Sequence, residues 1–249
     1  MSGHSKWSTI KRKKGAKDAQ RGKLFSKLVK EIMVAAKMGG GDPAANTRLR
    51  TAITTARGNS MPADTIDRAI KKGTGELEGT TYEEITYEGY GPGGVAILAT
   101  ALTDNRNRTV ADVRRIFDRN GGSIGTAGCV GWMFRKRGVI SIAAGVADEE
   151  KLMEVALEAG AEDVAETDDG FEISTAPEDF DAVSDALARA GIATDNAEVA
   201  MTPDNTVNVT GKEAEQVLRL LDMLDDHDDI QSVASNADIP PEEMERLSA

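Results

Sequence analysis

The sequence predicts an α+β protein of three domains: an N-terminal three-helix domain, a discontinuous α/β middle domain and an inserted ferredoxin-like βαββαβ domain. Three observations carry that expectation. Helical periodicity broken by glycine stops divides residues 1–80 into short helices. From Gly138 the strand and helix patterns follow in the order βαββαβ, which is a complete unit. The strand–helix–strand patterns on either side of it are each half a unit, so the economical solution pairs them with each other. The domains are therefore placed at 1–80, at 81–137 with 204–249, and at 138–203. A chain of 249 residues is long enough for two or three domains.

Each element has a local reason. Residues 19–38 place Leu24, Phe25, Leu28, Val29, Ile32, Ala35 and Ala36 on one helical face, with Lys23, Lys27, Lys30 and Lys37 opposite. Gly39-Gly40-Gly41 ends that helix, and Asp42-Pro43 reads as an N-cap followed by proline at the first helical position. Leu49, Ile53 and Ala56 face inward on the second helix, which stops at Gly58. Pro62 opens a third, stopped by Gly73. The texture then changes: residues 82–88 alternate as a strand, and 95–103 form a buried strand. A capping-box-like Thr109-x-x-Asp112 starts a helix with Val110, Val113, Ile116 and Phe117 on its apolar face. Residues 130–135 read as another strand. In the insert, strands at 138–143, 163–167, 171–174 and 197–202 alternate with helices at 148–159 and 177–190. A strand at 206–210, a helix at 212–224 and a strand at 230–233 follow.

Charge is distributed unevenly. Residues 1–75 hold 17 basic and 5 acidic residues, 76–137 hold 8 of each, and 138–249 hold 5 basic and 29 acidic. The net of +12 at one end and -24 at the other suggests a polyanion-facing segment joined to a body that avoids polyanions. The single cysteine, Cys129, excludes an internal disulfide and fits a reducing cytoplasm. No apolar run reaches the ~18 residues a membrane span needs, and no secretory signal pattern opens the chain.

The strongest candidate site is the basic run itself. His4, Lys6, Trp7, Lys11, Arg12, Lys13, Lys14, Lys17, Arg21, Lys23, Lys27, Lys30 and Lys37 bring cations and a stacking aromatic to one end of the chain. Cations follow phosphates because neutralising them releases condensed counterions, and an aromatic among them stacks on exposed bases. Most charge runs are only solvated, but this one continues onto a regular helix. A second candidate is the stretch around Asp104-Asn105-Arg106-Asn107-Arg108-Thr109, just before a helix N-terminus, with Arg115 and Arg119 on that helix. The alternative is a set of surface arginines paired with Asp104, Asp112 and Asp118, and the sequence leaves both open.

Three further patterns read as structural. Gly89-x-Gly91-x-x-Gly94 matches a dinucleotide fingerprint by letter, but it leads into a strand, so a hairpin turn is expected. The cluster Asp222, Asp225, Asp226, Asp228 and Asp229 lacks the spacing of a calcium loop and reads as a solvated helix end. Two histidines and one cysteine make a zinc site implausible, and no nucleophile–base arrangement stands out. No metal and no cofactor is expected, and the chain reads as a non-enzyme.

The stretches GHSKWSTIKRKKGAKDAQRGKLFSKLVKEI, GGGDPAANTRLRTAI, NSMPADTIDRAIKKG and YEGYGPGGVAILATALTDNRNRT closely resemble the YebC family, over essentially the whole length. That resemblance implies the same three-domain layout. It also implies a regulator of gene expression, whether a DNA-binding transcription regulator or a ribosome-associated translation factor that relieves stalling at proline-rich stretches. The expected partner is DNA or ribosomal RNA, in the cytoplasm, with a possible protein partner at the acidic domain and no membrane. The alternative is a protein–protein adaptor that uses its ferredoxin-like domains, with the basic arm only solubilising.

Overall fold

A computed structural model describes residues 17–167 and 170–248, and leaves undescribed the side chains of 17–21, 245 and 248. The described residues fall into two compact units, one formed by Trp132–Thr206 and the other by residues 17–131 and 207–248.

The larger unit begins with three helices, α1 (Lys17–Gly39), α2 (Thr47–Gly58) and α3 (Ala63–Thr74). Leu28, Ile32, Met33, Ala35 and Ala36 of α1 share a core with Leu49, Ala52, Ile53 and Ala56 of α2, and with Ile66 and Ala69 of α3. Leu24, expected inward, is 37% exposed, so burial on α1 begins in earnest only at Leu28. The start of α2 also differs from the sequence expectation. Asn46, not Asp42, is its N-cap, because its Oδ1 accepts from the Leu49 N–H at 3.1 Å. Its Nδ2 donates to the carbonyls of Ala35 and Gly40, both at 2.8 Å, which ties the end of α1 to the start of α2. Asp42 instead forms the turn before it, accepting from Ala44 N at 2.9 Å. Gly73 lies inside α3, which ends at Gly75 in the left-handed conformation with φ 83°. A Cβ on Gly73 would meet the Met33 carbonyl oxygen, so it marks a close approach of α3 to α1.

The rest of this unit is built on an antiparallel sheet. Strands β1 (Glu83–Tyr90) and β2 (Ala96–Thr103) form a hairpin, as expected: of the fingerprint-like glycines, Gly89 lies within β1, Gly91 precedes the turn Pro92–Gly94 and Gly94 ends it. The two-residue β3 (Ser123–Ile124) pairs with the other edge of β1. Strand β9 (Ile230–Ser235), from the far end of the chain, pairs with β2 from Ile97↔Ser235 to Ala101↔Ile230. The order is therefore β3-β1-β2-β9. Helices α4 (Arg106–Arg119) and α7 (Gly211–Asp225) cover one face. Val113 and Phe117 of α4 and Val217, Leu220, Leu221 and Leu224 of α7 share a core with Ile97, Ala99, Ala101 and Val233 of the sheet.

Two expectations are corrected here. Residues 130–135 do not supply a strand to this sheet; the strand after α4 is the short β3. The strand expected at 206–210 shrinks to β8 (Val207–Asn208), which pairs in parallel with β10 (Ala237–Asp238) in a small separate sheet. Helix α8 (Pro241–Ser248) closes the chain and places Met244 in the same core.

In the smaller unit, β4 (Phe134–Ala143), α5 (Glu149–Glu158), β5 (Ala161–Thr167), β6 (Gly170–Thr175), α6 (Phe180–Arg189) and β7 (Asn196–Pro203) follow in βαββαβ order. Its antiparallel sheet runs β5-β6-β4-β7, the ferredoxin-like arrangement. Ile140, Ile142 and Ile173 face Leu152, Ala156, Val183 and Leu187 of the two helices. The first strand starts at Phe134, earlier than the apolar run suggested, because Arg135, Lys136 and Arg137 extend the pairing with β7.

Candidate nucleic-acid interface

Three lysines of the α1 row, Lys23, Lys27 and Lys30, are not a free stripe. Lys23 Nζ donates to the Asp226 carbonyl at 3.1 Å, and Lys27 Nζ to the Asp225 carbonyl at 2.6 Å. Lys30 Nζ donates to the Asp228 carbonyl at 2.9 Å and to Asp229 Oδ1 at 2.7 Å. The sequence reading of Asp222–Asp229 as a solvated helix end holds for the exposed Asp222, Asp226 and Asp228 but not for Asp229, which is buried, nor for the carbonyls that these lysines cap. The turn after α7 receives these lysines, because the last carbonyls of a helix lack intrahelical partners and carry the negative end of its dipole.

Asp229 is the hub of this contact. Its side chain is 5% exposed. It accepts from Lys30 on Oδ1, and on Oδ2 from Arg108 at 2.7 Å and from the Thr109 hydroxyl at 2.8 Å. Its own carbonyl accepts from Leu102 N at 2.8 Å. Burial alone would raise its pKa, but the donors outweigh it and hold the carboxyl well below the usual range. Helix α1, the end of β2 and the start of α4 thus converge on one carboxylate. An open cleft of about 590 Å³ beside it is lined by Lys23, Lys30, Tyr82, Arg108 and several of these acids. Among the described residues no group of His, Cys, Asp or Glu could hold a metal ion.

Thr109 is not the N-cap of α4. Asn105 is, accepting from Arg108 N at 3.1 Å, so Arg106 and Arg108 sit in the first helical turn. The two open readings of this stretch divide by residue. Arg108 pairs with Asp104 at 2.9 Å and Arg115 with Asp112 at 3.4 Å, as the structural alternative expected. Arg106, Arg114 and Arg119 are exposed and have no ion pair among the described residues. Arg135 and Arg137 lie in the smaller unit, where both approach Asp204, at 2.8 Å and 3.7 Å.

His4, Lys6, Trp7, Lys11, Arg12, Lys13 and Lys14 fall outside the described residues, as do the side chains of Lys17 and Arg21. Lys37 is exposed at the far end of α1. Sequence reasoning passed over the cations of the next two helices. Arg50, Arg57, Arg68, Lys71 and Lys72 are all exposed, with no carboxylate partner among the described residues. Their signal was the net charge of residues 1–75, which exceeds what the first helix and its leader alone supply. Arg48 differs: Nε and Nη2 fork onto Glu31 at 2.6 and 3.1 Å, and Nη2 also reaches Glu84 at 2.6 Å. The bond to Glu31 is the main reason its pKa is raised.

A second carboxylate is as fully engaged. Glu88 accepts from the N–H groups of Gly128, Val130 and Gly131 at 2.7, 2.8 and 2.6 Å. Burial would raise its pKa, but these three bonds bring it below the ordinary value. Nothing in the local sequence marks this, since the donors are backbone groups some forty residues away.

Comparison with known proteins covers nearly the whole chain. Residues 5–76 match the TACO1/YebC protein N-terminal domain, and residues 82–237 the TACO1/YebC second and third domain. A probable transcriptional regulatory protein of Desulfatibacillum aliphaticivorans is 64% identical over 240 residues, spanning 96% of this chain and 97% of the relative. Another so named, from Geobacter sulfurreducens, is 58% identical over 247 residues, spanning 99% of this chain and all of the relative. A solved structure, a conserved hypothetical protein of Aquifex aeolicus, superposes with a TM-score of 0.80 at 48% identity, covering 91% of this chain and 94% of that one. With matches across all its parts and identities of this order, the chain belongs to the TACO1/YebC family.

Proposed function

We propose that this protein is a non-enzymatic, nucleic-acid-binding regulator of gene expression acting in the cytoplasm. The observation that carries the reading is the group of exposed cations without carboxylate partners on the helical part: Lys37, Arg50, Arg57, Arg68, Lys71 and Lys72. They extend the basic run of residues 1–30 onto regular helices, where no carboxylate of the described residues competes with an external anion. The relatives' name, probable transcriptional regulatory protein, supports a regulatory role. No helix of the described residues is long and apolar enough to cross a membrane.

Within that reading, the contact is directed at phosphate more than at base edges. Asn46, at the start of α2, is spent on Ala35, Gly40 and Leu49, and Arg48 on Glu31 and Glu84. A helix so committed at its N-terminal end is poorly equipped to read a major groove. This favours structured RNA recognised by shape, consistent with the translation factor that is one of the two roles the sequence resemblance implies.

Binding of a labelled ribosomal RNA fragment and of a DNA duplex across a salt series tests the reading. The affinity is expected to fall steeply with salt, by roughly 0.7–0.9 logarithmic units per phosphate contact for each tenfold rise. Deleting residues 2–17, or reversing Arg57 and Lys71 to Glu, is expected to weaken binding and flatten that dependence. Unchanged binding after both would overturn the reading and leave the protein–protein adaptor in its place. Crosslinking in cells then separates the targets: ribosomal RNA peaks support the RNA assignment, and promoter fragments overturn it.

A further inference from the structure

Lys23, Lys27 and Lys30 all donate to one acidic segment, and most of their acceptors are backbone carbonyls of Asp225, Asp226 and Asp228. This segment presents closely spaced oxygen acceptors in a field of negative charge, which is also what a phosphate backbone presents. Its grip is graded along α1 by the exposure of the acids and of Lys23, since Lys27 and Lys30 are about equally enclosed. At Lys30 and Asp229 the side chains are 13% and 5% exposed. At Lys27 and Asp225 they are 15% and 28% exposed, and Lys23 binds on the open surface. Pairs open to water are weak and screened by salt, whereas a buried, multiply bonded pair holds. Apolar burial follows the same gradient. Gly22, Lys23, Leu24 and Ser26 are exposed, while Leu28 and Ile32 are buried.

We propose that the turn after α7 is an internal phosphate mimic, and that nucleic-acid phosphates compete with it for Lys23 and Lys27. The Lys30–Asp229 pair is the pivot. It stays closed and keeps α1 docked, while the outer two lysines exchange the carbonyls of Asp226 and Asp225 for phosphate. The acidic turn thereby lowers affinity for weak polyanions and leaves the row available to a ligand able to displace it. This inference rests on the nucleic-acid reading given above and adds a regulation to it.

The test compares the full-length protein with the variants D225N/D226N and E149Q/E150Q, using a labelled RNA hairpin at fixed salt. Both variants remove the same charge, but Glu149 and Glu150 lie in the smaller unit. D225N/D226N is expected to bind about fivefold tighter, and E149Q/E150Q to change less than about twofold. Amide hydrogen exchange on the unmodified protein supplies an independent measurement. With the hairpin saturating, the amides of Asp226 and His227, which donate to Asp222 and Leu224 at the end of α7, are expected to exchange faster as the lysine caps leave. If the hairpin binds but D225N/D226N is no tighter than the control and those amides do not change, the competition is wrong and the functional reading stands. If neither the hairpin nor a DNA duplex binds the unmodified protein, the functional reading fails and the competition fails with it.

Discussion

Lys30 Nζ and Asp229 Oδ1, 199 residues apart in sequence, lie 2.7 Å apart, and this pair joins the helical part to the sheet that follows it. Lys30 also lies 5.4 Å from the centre of the Tyr82 ring, at the junction between the two. Removing one partner of such a pair strands the other. Asp229→Asn is therefore expected to destabilise the protein by about 2–4 kcal/mol, toward the range seen for broken buried pairs. Lys30→Met leaves Arg108 and Thr109 on the carboxylate and is expected to cost less. Urea unfolding of the two single variants and the double gives the coupling energy. Additive effects would show that the pair does not act as a unit.

The depressed pKa of Asp229 makes a pH prediction with a definite sign. A carboxyl whose folded-state pKa lies below its unfolded value contributes stability that is fully present above the unfolded value, about 3.9. That contribution is lost as pH falls from there through the folded-state pKa. Thermal melts from neutral pH down to about pH 3 are expected to show the unmodified protein losing stability more steeply than Asp229→Asn below about pH 5. Parallel curves would assign the acid sensitivity to other carboxylates.

Much of this architecture was legible because local signals agree with the global fold. The βαββαβ order of the insert, the three short helices and the β1–β2 hairpin follow from periodicity and glycine placement. The elements that were misread depend on distant partners. Asn46 caps α2 because Ala35 and Gly40 need its amide, and no spacing rule reveals that. Residues 134–135 read as the end of one strand and 138–143 as the next, but 134–143 form a single strand because β7 lies beside it. In the candidate site, sequence identified the lysine row as a phosphate-binding stripe and the acidic run as a solvated helix end, but not the contact between them. Opposite charge so far apart in the chain gives no sign of contact until β2 and β9 pair and bring residues 225–229 to the end of the sheet. The cations of α2 and α3, Arg50, Arg57, Arg68, Lys71 and Lys72, were missed because they form no long run.

Glu88 holds the loop before the smaller unit by three backbone N–H groups, and Tyr90 adds a hydrogen bond from its hydroxyl to the Cys129 carbonyl at 3.1 Å. Burial raises the Cys129 thiol pKa, and the Glu88 charge raises it further. Glu88→Gln removes the charge and weakens the acceptor for three donors. The thiol is expected to react faster with a disulfide reagent near pH 8, by roughly three- to tenfold, as its pKa falls and the loop opens. An unchanged rate would mean that the loop is held without Glu88.

Two glycines in helices provide the last prediction, because the same substitution should act in opposite directions. At Gly22 of α1 nothing lies within 4 Å of the position a Cβ would take, so Gly22→Ala adds helix propensity at no steric cost. It is expected to stabilise the protein by up to ~1 kcal/mol, less where the end of α1 frays. On Gly73 the same methyl would meet the Met33 carbonyl oxygen and approach the Ala36 Cβ to 2.8 Å. Neither neighbour is the end of a flexible side chain, so α3 has to move away from α1. The gain in propensity is then outweighed by overpacking, and Gly73→Ala is expected to cost about 1–3 kcal/mol. Chemical unfolding of both variants measures the contrast. A stabilising Gly73→Ala would show that α3 can shift on α1 without loss, and that the close approach at Gly73 is incidental to the docking of the two helices.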